Sequence, residues 1–122
     1  LTQELAANFG DEYNQSTLVV SGEFGRQLAA NGDAGTDHGK GNTMLLIGPQ
    51  VSGGVYGELF PESEIDRFSG EASADIDALT SIEHLFGQVC DWMLAGTGDQ
   101  VFPNRAAASI EENLDLSQIF AS

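Results

Sequence analysis

Apolar positions along the chain fall into three kinds of run. Leu1, Leu5 and Phe9 recur every fourth residue, which lines one face of a short helix over residues 1–9. Gly10 ends it, because glycine is the usual residue just past a helix C-terminus. Thr17-Leu18-Val19-Val20 and Met44-Leu45-Leu46-Ile47 show no polar alternation. Such runs fit short strands buried on both faces, as in a parallel sheet. Ile82, Leu85, Phe86, Val89 and Met93 return to helical spacing, and Thr80-Ser81-Ile82-Glu83 before them has the form of a capping box. Gly96 closes that helix. Gly87 inside it costs roughly 1 kcal/mol against alanine, which implies close packing at that point. On the same helix Cys90 reads as a buried thiol, Trp92 as core edge and His84 as exposed.

Between these runs the pattern breaks into glycine-rich loops. Ser21-Gly22-Glu23-Phe24-Gly25-Arg26 follows the first strand, and residues 27–34 are small and polar, with a turn signal at Asn31-Gly32-Asp33. Gly35 to Asn42 presents Asp37 and His38 just ahead of Met44–Ile47, and a Gly/Pro turn then leads to a further short strand near Val51–Gly57. Residues 58–73 are acidic and aperiodic, a surface excursion. The tail, 101–122, carries a Pro-Asn turn and the apolar residues Leu114, Leu116, Ile119 and Phe120, which are expected to dock it on the body. The expectation is one α/β domain over residues 1–122, with a partial, mostly parallel sheet flanked by helices.

Composition narrows the function classes. Nineteen acidic against four basic residues give a net charge of −15, which disfavours nucleic acid and anionic membrane surfaces, since both call for clustered cations. No apolar run approaches the roughly 20 residues of a membrane span. A single cysteine permits no internal disulfide. The start, Leu-Thr-Gln-Glu-Leu, has neither a basic n-region nor an initiator Met, as expected of a trimmed product.

Glu23, Asp37 and His38 are the candidate metal ligands: oxygen and nitrogen donors that suit zinc, manganese, magnesium or calcium. Arg26 is a candidate contact for an anionic group. The same residues also fit a plainer arrangement, in which Asp37 caps a turn, His38 is solvated and Glu23 pairs with Arg26 at the surface. No Gly-x-Ser-x-Gly elbow, phosphate loop, dinucleotide fingerprint or Cys-x-x-Cys pair is present.

Thr17 to Arg26, Asn31-Gly32, Gly35-Thr36-Asp37-His38-Gly39, Gly48 and Val51 to Gly57, in that order, resemble the C-terminal part of the DUF1501 family. That family looks like a branch of the alkaline phosphatase superfamily, with sulfatase-like members. The resemblance implies a parallel sheet with a metal site at the strand ends, a hydrolase of phosphate or sulfate esters, and a periplasmic or extracellular location in a bacterium. In superfamily hydrolases a late strand runs into Ser-Asp-His-Gly; the matching positions here are Glu23 and Phe24, of which only the first can bind metal. Gly35 to Asn42 followed by Ile47-Gly48-Pro49 is similar to a later Gly-x-His-Gly-x-x-Asn, which matches His38. The superfamily's nucleophile and first metal carboxylate belong to an N-terminal half that has no counterpart in these residues, so this chain by itself is expected to be inactive. A non-catalytic structural or binding module on the same scaffold is the alternative. An incomplete sheet with open edges is also expected to self-associate, or to pair with the N-terminal portion of the same protein.

Overall fold

The computed structural model describes residues 1–57, 75–78, 80–105 and 114–120. The surface excursion expected at 58–73 lies outside the described residues. Helix α1 spans Thr2–Phe9 and stops at Gly10, whose positive φ of 58° is one that glycine adopts without strain. A 3-10 turn over Gly10–Gln15 leads into strand β1, Leu18–Ser21. Three more strands follow: β2 Gly25–Ala30, β3 Thr36–Gly39 and β4 Met44–Ile47.

Both strand pairings among the described residues are antiparallel. β1 pairs with β4, Leu18 facing Ile47 and Ser21 facing Met44, and β2 pairs with β3, Gly25 facing Gly39 and Arg26 facing His38. The β2–β3 hairpin is thus nested inside the β1–β4 pair, and the chain runs out and back as one interrupted ribbon. This corrects the expectation of a mostly parallel sheet; what holds is the broader α/β class. An unbroken apolar strand is what a parallel sheet needs, but a run of four residues does not encode the direction of its partner. Burial is also less than expected: Val20 and Leu45, directly opposite each other, are 47% and 56% exposed. At the other end of the pair, Leu18 and Ile47 face α1 across a cleft of about 260 Å³ lined also by Leu5, Phe9 and Tyr13, among others.

Helix α2, Ile82–Met93, forms where the apolar spacing places it, but its cap is Ser81, not Thr80. The Ser81 hydroxyl accepts from the backbone N–H of His84, while the Thr80 hydroxyl accepts from the backbone N–H of Leu114. At the other end the Thr97 hydroxyl shares its proton between the carbonyls of Cys90 and Leu94, which also accept the backbone N–H groups of Leu94 and Thr97. A single turn, α3, spans Gly98–Val101. Phe86 stacks on Phe102, closing the α2–α3 corner. Cys90 is half-buried.

The tail docks as expected. Leu116 and Ile119 are the most buried hydrophobic residues described, at 2% and 3% exposure. Phe120 stacks on Trp92 with centroids 4.8 Å apart, and it bridges to Val51 in antiparallel fashion. The Ser52 N–H donates to the Ile119 carbonyl at 2.7 Å. The strand expected near Val51–Gly57 therefore reduces to this one bridge. His84, expected to be exposed, is part-buried instead, with Nε2 3.2 Å from the Leu114 carbonyl oxygen.

Candidate functional site

The two stretches that carry the candidate ligands meet across the β2–β3 ladder. Ribbon pairing stops after Ser21–Met44 and resumes at Gly25–Gly39, so Gly22–Phe24 and Lys40–Thr43 are facing loops. They approach closely enough that a side chain at Gly25 would overlap the Gly41 carbonyl, which is why glycine is needed there. Glu23 lies in the first loop and His38 just before the second.

Directly opposed residues of an antiparallel pair put their side chains on one face. Arg26 and His38 are such a pair. Phe24, two residues before Arg26, reaches the same place: its ring stacks on the His38 imidazole with centroids 3.6 Å apart and planes 20° from parallel. The Arg26 guanidinium lies 5.1 Å from the Phe24 centroid, and its Nη1 donates to the Thr36 carbonyl at 2.6 Å. Arg26, Phe24 and His38 therefore form one layered group beside the Glu23 loop.

Asp37 belongs to a different group. Consecutive strand residues point to opposite faces, so β3 turns Asp37 away from His38. Asp37 Oδ1 accepts from Asn31 Nδ2 at 2.8 Å. Asn31 Oδ1 in turn accepts from the backbone N–H groups of Asp33 and Gly35, each at 3.0 Å. This network builds the hairpin tip, where Ala34 takes a φ of 59°.

Sequence reasoning did not single out Asp75. Both of its carboxylate oxygens accept from the Lys40 backbone N–H, at 3.0 and 2.9 Å. That places a carboxylate beside Gly39, one residue from His38. It lies just past the acidic stretch, and the sequence carries no signal that would separate it from those neighbours. Gln27 was likewise missed; its Nε2 bonds the His38 carbonyl and ties β2 to β3 outside the ladder.

Glu23 and His38 suit a divalent ion in donor chemistry. Among the described residues no group of three or more His, Cys, Asp or Glu side chains is gathered closely enough to hold one. A site at this place would need further ligands beyond those gathered here.

An α/β chain with an acid- and imidazole-bearing hairpin is the class that this geometry defines. The family described as "Protein of unknown function (DUF1501)" matches residues 3–102, and the chain belongs to it. No curated protein and no solved structure matches the chain.

Proposed function

We propose that this chain is the C-terminal part of a metal-dependent hydrolase of phosphate or sulfate esters, on an alkaline phosphatase-like scaffold. In that reading Glu23 and His38 are ligands to a divalent ion and Arg26 contacts the anionic group of the substrate. Asp37, held by Asn31 on the opposite face of β3, is not part of that set. The observation that carries the reading is the seating of the Glu23 loop on His38 through Phe24. Glu23 precedes Phe24 in that loop, so the stacking brings the two donor-bearing segments side by side. When bound, such an ion would polarise an ester oxygen or acidify a water. His38 and Glu23 orient it, and Arg26 offers a charge-assisted hydrogen bond to an ester oxyanion. The nucleophile belongs to another part of the protein, so the chain alone is inactive. A periplasmic or extracellular location goes with the same family resemblance.

Metal analysis of the full-length protein together with a His38→Ala variant tests this. Stoichiometric divalent metal and a fall of about 100-fold in ester hydrolysis are expected for a lost ligand with its supporting shell. Absence of bound metal in the intact protein, or a variant that hydrolyses as fast as wild type, overturns it.

A second reading, a non-catalytic structural or binding module, is favoured by one observation. Asp37 is engaged by Asn31 at the hairpin tip, which leaves β3 with one outward donor on the Phe24 face. Under that reading His38→Ala leaves any hydrolysis by the full-length protein unchanged.

A further inference from the structure

Phe24 stands where the family resemblance calls for a metal-binding side chain, and a phenyl ring cannot bind metal. Its contacts give it another role. The ring covers one face of the His38 imidazole at 3.6 Å, and the Arg26 guanidinium lies 5.1 Å from the same ring. His38 is otherwise an exposed side chain on a two-stranded ribbon, free to rotate about its χ angles. A flat ring laid against it removes most of that freedom. The backbone beneath is held too, since Gln27 Nε2 bonds the His38 carbonyl. Arg26 is itself tied down by its bond to the Thr36 carbonyl.

We infer that Phe24 is a positioning residue: it fixes the plane of the His38 imidazole, and so the direction in which its ring nitrogens present their lone pair or proton. Restraint by a neighbour is what a metal-binding histidine ordinarily obtains from a hydrogen bond at its second nitrogen. Here an aromatic face supplies it, laid nearly face to face on the imidazole at contact distance. The functional consequence rests on the reading of His38 as a ligand; the restraint itself does not.

The test uses the full chain, with its two histidines followed by NMR, and compares wild type, Phe24→Leu and Phe24→Tyr. A ring stacked at this distance shifts the His38 ring protons upfield. That shift is expected in wild type and Phe24→Tyr and lost in Phe24→Leu. The His84 resonances, on α2 against Leu114, stay fixed and report that each variant is folded. Zinc binding by the full-length protein is expected to weaken by about tenfold in Phe24→Leu and to recover in Phe24→Tyr. Identical His38 ring shifts in wild type and Phe24→Leu overturn the inference. An intact ring shift in a wild-type chain and full-length protein that bind no zinc supports Phe24 as the restraint, and counts against the metal reading alone.

Discussion

Arg105 Nη2 sits 2.8 Å from Asp91 Oδ2, joining the segment after α3 to the last turn of α2. The same guanidinium reaches Asp99 Oδ1 through Nε at 2.6 Å, and Asp91 Oδ1 accepts from the Gly98 N–H at 2.8 Å. One cation, one of only four bases in the chain, thereby holds three turns of backbone together. Its aliphatic stem and Nη1 lie on Gly87. Close packing at Gly87 was legible in the sequence; the residue that packs there was not.

That contact decides the outcome of Gly87→Ala. Alanine gains about 1 kcal/mol of helix propensity over glycine. The added methyl would meet Arg105 Nη1 and Cδ, and overpacking costs about 1–3 kcal/mol. A net loss of about 1 kcal/mol is expected, read from urea unfolding.

Acid should weaken the same corner. The Gly98 N–H first and Arg105 next hold the Asp91 carboxyl below its ordinary value of 3.8. Ser117 acts on Asp115 in the same direction. A carboxyl lowered by folding stabilises the native state above its unfolded value and loses that contribution as pH falls through the folded one. The urea midpoint should therefore hold from pH 7 to about 5 and fall below about 4. Asp91→Asn should be less stable at pH 7 and show a shallower acid slope. Arg105, raised by both carboxylates, stays charged throughout and adds no slope in this range.

At the hairpin tip Ala34 occupies a left-handed conformation, φ 59°, which costs a residue with a Cβ about 1–2 kcal/mol. Glycine removes that cost and gives back part of it through a more flexible unfolded chain. Ala34→Gly should stabilise by about 0.5 kcal/mol. Asn31→Ala, which deletes the acceptor for Asp33 and Gly35, should cost about 1–2 kcal/mol. Paired thermal melts check both.

Helix α2 should lose about 1 kcal/mol on Ser81→Ala, because the hydroxyl caps the His84 N–H. Thr80→Ala should act elsewhere, loosening Leu114, whose N–H it accepts. Hydrogen exchange separates them: the first change speeds exchange in the first turn of α2, the second at Leu114.

Two features act in opposite directions on any association between copies. Val20 and Leu45 form an exposed apolar pair on the ribbon, and a net charge of −15 drives copies apart. Salt screens the repulsion and leaves the apolar attraction. Light scattering should show association growing with ionic strength in wild type and suppressed in Leu45→Lys.

The elements most visible in the sequence were those fixed by local rules. α1 and its Gly10 stop, α2, and the existence of β1 and β4 all follow from spacing and punctuation. The turn at Asn31 was legible, but β2 and β3 beside it were not, because Gln-Leu-Ala-Ala and Thr-Asp-His-Gly carry no alternation strong enough to declare strands. Once those strands exist, pairing Arg26 with His38 settles which side chains share a face. That is a long-range fact, and it separates Asp37 from His38 although they are neighbours in the chain. Thr80 and Ser81 illustrate the same limit: either hydroxyl can cap, and only the position of Leu114 assigns one of them to the tail.

The family match ends at residue 102, whereas the two most deeply enclosed side chains described, Leu116 and Ile119, lie beyond it. A polypeptide trimmed to the matched boundary would strip Trp92 of its aromatic lid and leave the Ser52 amide without its acceptor. Expression designs guided by family limits alone would thus remove the keystone and keep the arch.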